Sequence, residues 1–294
     1  MGFFAKLFGP KKPKSTLPIT NIEKRFELLG RTGQGSMSKV WRARDKTLGR
    51  TICLKILDKE KTIAFEARFP GLHKPQEGTI CMALRHKNIV QTFEYGLTTT
   101  GDPYLVMELI DGLGLNYLVE TNNAQLNGRR IDYLCQICDG LEHVHQQRFL
   151  HRDICPRNVM VTKEGVVKII DFGLTIPYTP EFCRPGNRTG TSDYLAPELI
   201  KRNSTDHRVD MFALGVTAYE IFTGGLPWEK ARGSMEVLQK HLNITGKDPR
   251  EFVPSMEKTL ASFLIRAVER NPVERFQTTA EFREALRALP KQDY

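Results

Sequence analysis

The 294-residue sequence lacks several things, and each absence excludes a class of protein. No run of 18 apolar residues occurs, so no membrane-spanning helix is expected. The start, Met1 to Pro10, is too short and too interrupted by Lys6 for a secretory segment, and Lys6 stands where a myristoylation signal needs Ser or Thr. The six cysteines form no dense framework, which together with the missing signal peptide predicts a reduced, cytoplasmic setting. There is no internal repeat and no zinc-finger, RNP-type or basic-zipper pattern. The net charge of +9 favours acidic partners, yet Lys and Arg are scattered, with one local run at Lys11, Lys12 and Lys14. A solvated basic surface with phosphate-contacting residues is therefore expected, and direct nucleic-acid binding is not.

What is present is a globular composition, 40% hydrophobic and 26% charged, long enough for one large or two medium domains. Residues 1–20 read as a leader in which Phe3, Phe4, Leu7 and Phe8 precede a Lys/Pro-rich segment. It is expected to be loosely ordered, with docking on a partner or an anionic membrane as the alternative. Strand-like residues begin at Phe26 and lead through Gly33-Gln-Gly35 to Val40 and then to Lys55 in the run Ile52–Leu57. Residues 59–76 contain Pro70, Gly71 and Pro75, which predicts mostly loop, with a short helix near Ala64–Arg68. A helix is expected over Glu77–Leu84, and an apolar strand over Tyr104–Ile110. Beyond Asp111 the pattern is mainly helical, with helices expected over 129–146, 209–223, 260–269 and 280–288. The 209–223 segment is apolar nearly all round, as a helix at a domain centre is. Cys135 and Cys138 share a helical face with Ile131, Leu134, Ile137, Leu141 and Val144, so they read as small buried residues and not as a metal or redox pair.

The chemistry concentrates in His151-Arg152-Asp153, Asn158 five residues after that aspartate, and Asp171-Phe172-Gly173. Two carboxylates and a carboxamide on short loops between apolar runs are hard oxygen ligands, which suits Mg²⁺ carrying a phosphorylated substrate. This arrangement resembles the catalytic and magnesium-binding loops of protein kinases. The resemblance extends over about residues 24–290 through Gly33 and Gly35, Lys55, Glu77, Ala196-Pro197-Glu198, Asp210 and Arg275, in the family's order.

The resemblance implies an α+β, two-lobed kinase-like fold, with a small β-rich N-lobe with one main helix at 21–110 and a larger, mainly helical C-lobe at 111–294. It implies an ATP- and Mg²⁺-dependent enzyme of signalling that transfers the γ-phosphate to Ser/Thr hydroxyls of protein substrates and autophosphorylates. By the same resemblance, Gly33 and Gly35 cover the phosphates, and Lys55, fixed by Glu77 in preference to Glu66, holds them. Asn158 and Asp171 carry Mg²⁺, and Asp153 accepts or orients the attacking hydroxyl. Met107, with backbone groups of Glu108 and Ile110, would border the adenine, with Val40 and Cys53 above it and Met160 below. Asp210 would cap the catalytic loop, and Arg275 would pair with Glu198. Arg152 could receive a phosphate placed on Thr175, Tyr178, Thr179 or Thr189. Two rival classes are a pseudokinase acting as a nucleotide-binding scaffold and a small-molecule phosphotransferase, the latter disfavoured by the intact Gly190–Glu198 segment. Two positions depart from the family pattern: Ser38 replaces the third glycine, and Cys155 replaces the lysine usual in serine/threonine members. Arg157, at a position where tyrosine-specific members keep an arginine, is expected to supply the missing positive charge.

Overall fold

Runs rich in β-branched, aliphatic and aromatic residues pair in this chain to give a six-stranded sheet. In this computed structural model, which describes residues 17–34, 38–186, 188–229 and 234–290, the strands are β1 Ile19–Thr20, β2 Phe26–Gln34, β3 Ser38–Asp45, β4 Arg50–Leu57, β5 Thr92–Thr98 and β6 Pro103–Met107. Their order is β1-β5-β6-β4-β3-β2, with β1 and β5 parallel and every other pair antiparallel. The turn from β3 to β4 is closed by Asp45, whose carboxylate accepts the N–H groups of Thr47 and Leu48, while Gly49 takes a left-handed φ of 67°. Phe26, Ala43, Ile52, Leu54, Tyr104 and Val106 form the sheet's buried core. Each large side chain buried there contributes about 1.5–3 kcal/mol.

Two features of this unit differ from expectation. Ile19 and Thr20 belong to the sheet and not to a leader, pairing with Leu97 and Thr98. Two residues are too few to show a period, but the short apolar run supplies an edge to β5. Where mostly loop was expected there is a helix, α2 Lys59–Glu66, following the single-turn α1 Ile22–Arg25. Asp58 caps α2 by accepting the Lys61 N–H at 3.0 Å. Phe65 is its one buried residue, so it presents no apolar stripe. The unit's third helix, α3 Glu77–Ala83, has seven residues against eight in α2, so two helices of similar length stand where one main helix was expected.

The chain divides into two units, Met1–Arg85 with Gln91–Leu109, and His86–Val90 with Ile110–Tyr294. The division thus falls one residue before the expected 110/111 boundary, and His86–Val90 belongs to the second unit. The cause is hydrogen bonding: Val90 N–H donates to Ile169 O and Ile169 N–H to Asn88 O, both at 2.9 Å.

In the second unit, β7 Gly112–Gly114 leads to α4 Leu115–Glu120 and α5 Arg130–Gln146. Short strands follow: β8 Phe149–Leu150, β9 Val159–Thr162, β10 Val167–Ile169 and β11 Ile176–Pro177, with β10-β9-β7 and β11-β8 as small sheets. The later helices are α6 Pro197–Ile200, α7 Arg208–Thr223, α8 Ser234–Asn243, α9 Lys258–Ala267 and α10 Thr279–Arg287. α5 buries Tyr133, Leu134, Cys135, Ile137, Cys138, Leu141 and Val144 on one face. α7 buries all its residues except Arg208, Glu220 and Thr223. Gly215 lets α7 approach α9 closely, since a Cβ there would lie 2.2 Å from the Ala267 carbonyl. Among the described residues no helix is long and apolar enough to cross a membrane.

Candidate active site

In the first unit, strand alternation turns Lys55 of β4 into the interior, where it is only 4% exposed. A cation so buried requires a partner. It finds one in Glu77, in the first turn of α3, with Nζ 2.6 Å from Oε1. Glu66, the alternative partner weighed from the sequence, instead lines a cavity beside α2 and α3. Around Lys55 the ladders place Val40 opposite it and Gly33 opposite Val40, and Cys53 opposite Met107. Ser38, in place of a third glycine, is buried opposite Leu57. Burial pushes the Cys53 thiol up to about 11, so it is neutral. The Glu108 N–H is committed to Gln91 O at 2.9 Å and cannot donate to a base. Gly35 lies outside the described residues, as does the leader's aromatic and basic segment.

In the second unit, Asp153 sits at the centre of a dense net. Its Oδ1 accepts the backbone N–H of Thr191 at 2.8 Å. Its Oδ2 and its carbonyl both accept from the Asn158 side-chain amide at 2.8 Å. Those two bonds orient the Asn158 carboxamide by its nitrogen. The Asn158 carbonyl accepts the Ile170 N–H at 3.0 Å, which sets Asp171 next to the catalytic loop. Asp171 Oδ1 accepts the Gly173 N–H at 2.9 Å, and Phe172 is buried edge-on against His151, 5.0 Å between ring centroids.

Beneath this net lies Asp210 in the first turn of α7, fully buried. It accepts the His151 N–H at 2.9 Å, the Arg152 N–H at 2.7 Å and a hydrogen bond with His145 Nε2 at 2.8 Å. Burial works to raise this carboxyl, but the hydrogen bond and charge of His145, the charge of His151 and the Arg152 amide outweigh it and hold it below the usual range. Arg152 needs that support, because its φ of 69° is left-handed and costs on the order of 1–3 kcal/mol in a non-glycine residue. Its buried guanidinium lies 3.5 Å from the Thr189 hydroxyl. Thr175 is also fully buried, its hydroxyl on His151 O, whereas Tyr178 is half-buried with its hydroxyl on His207.

Cys155 is buried, and burial pushes its thiol up to about 12, so it can act as neither a cation nor a thiolate. Arg157 is exposed, and its charge acts on the pair of buried Tyr194 and half-buried Glu220, in which the Tyr194 hydroxyl donates to Glu220. Arg275 makes a bidentate bond to Glu198 at 2.8 Å and also donates to the Arg208, Glu269 and Arg270 carbonyls. Met160, on β9, pairs with Lys168. Sequence reasoning missed His145 and the Tyr194–Glu220 pair. Both contacts join residues far apart in the chain, with no local pattern to announce them.

The donor chemistry can be tested against a magnesium ion. Among the described residues no three Asp, Glu, His or Cys groups cluster to hold a metal by themselves. One carboxylate and one carboxamide on adjacent loops suit instead a cation that arrives with phosphate oxygens as its other ligands.

These features are those of a protein kinase domain, and the sequence model of the protein kinase domain family matches residues 26–287, so the chain belongs to that family. With it comes the two-lobed α+β kinase fold. The chain is 32% identical over 273 residues to the serine/threonine-protein kinase PknB of Mycobacterium leprae, covering 90% of this chain and 43% of that protein. It is 31% identical over 279 residues to PknB of Mycobacterium tuberculosis, covering 91% and 43%. It is 31% identical over 270 residues to a probable serine/threonine-protein kinase of Clostridium perfringens, covering 91% and 38%. The chain thus spans about two fifths of the length of these curated relatives.

Proposed function

We propose that this chain is an ATP- and Mg²⁺-dependent protein kinase that phosphorylates serine and threonine hydroxyls of protein substrates and its own activation segment. The observation that carries this reading is Asp153. One of its carboxylate oxygens is fixed by the Asn158 amide and the other by the Thr191 N–H, beside Asp171. Phosphoryl transfer asks a protein mainly for positioning and charge neutralisation. Asp153 would orient the incoming hydroxyl and take its proton. Asp171 and the Asn158 side-chain oxygen would hold Mg²⁺, which neutralises charge on the phosphates. Lys55, fixed by Glu77, would meet the phosphates. Gly33, Val40, Cys53, Met107, Glu108, Ile110 and Met160 would each contribute nucleotide contacts.

The relatives' names support the serine/threonine class. A scaffold without transfer is not favoured, because Lys55, Asp153, Asn158 and Asp171 are all present and the Lys55–Glu77 pair is formed. Five buried thiols fit a reducing, cytoplasmic setting. The direct test is incubation of the purified chain with Mg-ATP followed by mass spectrometry. Phosphate is expected within residues 175–191 of the wild type and not of Asp153→Asn. Equal phosphorylation of both forms would overturn the assignment.

A further inference from the structure

The last turn of α8 holds a histidine to which the transfer chemistry gives no role. Leu238 and His241 lie three apart on one helical face, and both are buried, His241 to 1% exposure. A polar ring so deep needs a partner. His241 Nδ1 lies 2.9 Å from the carbonyl oxygen of Leu195, 46 positions away. A carbonyl only accepts, so Nδ1 carries the hydrogen and donates it. Burial holds the ring below its ordinary pKa, against the Leu195 bond and the charge of Asp193, so the ring is neutral at physiological pH.

Aromatic neighbours fix the direction of that donor. Trp228 lies 4.2 Å from the imidazole and Phe212 of α7 lies 5.9 Å from it, between ring centroids. Phe212 and Trp228 also stack on each other at 5.9 Å. Trp228 is anchored by its indole N–H, which donates to Ile244 O at 2.8 Å. Phe212 is anchored by the Arg275 guanidinium, 4.8 Å from its ring centroid. The imidazole therefore has little freedom to turn away from Leu195.

Leu195 is tied to the reacting groups. Thr191, whose N–H meets Asp153 Oδ1, opens a single 3₁₀ turn over Ser192–Tyr194. Within it the Tyr194 N–H donates to Thr191 O at 3.0 Å and the Leu195 N–H to Ser192 O at 3.3 Å. The Leu195 side chain packs on Gly190, where a Cβ would lie 2.9 Å from Leu195 Cδ2 and 2.8 Å from the Arg152 carbonyl. A shift of Leu195 thus moves the Gly190–Thr191 peptide beside Asp153. A polypeptide that presents a hydroxyl to Asp153 has to pass along this segment.

We propose that His241 is a positioning residue for the protein substrate: its Nδ1–H, aimed by Trp228 and Phe212, fixes the Leu195 carbonyl and with it the segment 191–195 on which the polypeptide lies. This deepens the kinase reading and rests on it. Without a donor opposite it, the buried Leu195 carbonyl must find water or another partner, which displaces the segment. If the positioned segment falls to about a tenth of the population, KM for the polypeptide rises about ten-fold, while turnover at saturation is kept.

The experiment is steady-state kinetics on the full chain with a synthetic peptide of residues 175–195 as acceptor. His241→Leu fills the space between the aromatic rings but has no donor. His241→Asn fills it poorly but places an amide N–H where the Nδ1–H was. The Leu variant is expected to raise KM for the peptide about ten-fold, the upper worth of one neutral hydrogen bond, with kcat and KM for ATP unchanged. The Asn variant is expected to return KM to within about two-fold of the wild type. Equal effects, or a Leu variant closer to the wild type than the Asn variant, would show that the ring only fills space and would overturn the proposal. So would a loss of kcat that follows the folded fraction read from a melt of each variant. Two further readouts need no transfer. Ring nitrogen-15 shifts of the wild type are expected to report the Nδ1–H tautomer, and the Nε2–H tautomer would refute the bond. Hydrogen exchange at the Tyr194 and Leu195 amides is expected to quicken in His241→Leu and not in His241→Asn, and equal exchange in all three forms would overturn the positioning. A wild type that phosphorylates neither the peptide nor itself, with both of these readouts as expected, would keep the hold on Leu195 and refute the kinase reading.

Discussion

The two clusters proposed to act in catalysis, one in each unit, are held in different ways. Asp153 is fixed by the Asn158 amide and the Thr191 N–H, in a loop pinned by Asp210 on the fully buried helix α7. Glu77 rides on the seven-residue α3, which lacks a side-chain N-cap and is braced through Tyr95. The first arrangement is cross-linked, since the Asp153 and Asp210 carboxylates each accept hydrogen bonds from residues far away in the chain. The second has few supports, so a small change in packing can shift it. Low local stability is characteristic of elements that move in regulation. The contrast teaches that the Asp153 cluster is cross-linked through several segments of the second unit, while the position of Glu77 depends on the packing of one short helix.

The largest expected effect breaks the cross-linked cluster at its chemistry. Asp153→Asn should lower phosphate transfer by about 10²–10⁴-fold. It should cost at most about 1.5 kcal/mol in stability, because one hydrogen bond is lost. Comparing initial rates with a thermal melt checks both. Next is the support itself. Asp210→Ala strands the His151 and Arg152 N–H groups and the His145 ring in a buried site, at an expected cost of about 3–5 kcal/mol. Denaturant unfolding measures this, and a loss below 1 kcal/mol (about the worth of one exposed contact) would show that the loop is held by something else.

The sparse cluster should respond the other way. Glu77→Gln is expected to lower transfer about ten-fold, near 1.4 kcal/mol in the barrier, with little change in the global melt. A fall in melting temperature as large as that of Asp210→Ala would erase the contrast between the clusters. A finer comparison concerns the two departures in the catalytic loop. Arg157→Ala should lower turnover more than Cys155→Ala, since Cys155 is buried and neutral whereas Arg157 is exposed and charged. Equal effects would remove Arg157 from the list of groups that replace the missing lysine.

The smallest effect is in pH. Burial holds His151 and His241 below their ordinary value of 6.5. The unfolded chain therefore binds protons near pH 6 that the folded chain does not. Stability from these groups is fully present above pH 6.5 and is lost as pH falls through the lower folded values. Asp210, held below the ordinary 3.8, adds stability that is lost only at still lower pH. Melting temperatures between pH 7.5 and 5 should fall for the wild type and fall less for His241→Gln. Parallel curves would show that His241 does not titrate on unfolding.

Much of this was readable from residues alone. The order of Lys55, Glu77, Asp153, Asn158 and Asp171 resembles that of a kinase, and these residue types are legible at their spacing whatever element carries them. α5 was visible because its burial repeats with the helical period, and α7 because it is a helix-length run that is apolar nearly all round. Other features left no local trace. α2 was hidden because Phe65 is its sole buried residue, although Asp58 offered a capping signal. β1 is two residues long, and its partner lies 78 positions away. The transfer of His86–Val90 to the second unit depends on bonds to Ile169. The bond between His145 and Asp210 spans 65 positions, and only folding brings it into being.

The most direct test of the central claim is phosphoamino-acid analysis after reaction with γ-labelled ATP, Mg²⁺ and generic serine, threonine and tyrosine acceptors, comparing the wild type with Asp171→Ala. The account predicts label in phosphoserine and phosphothreonine for the wild type and none above background for the variant. Label confined to phosphotyrosine, or equal label with and without the Asp171 carboxylate, would contradict it.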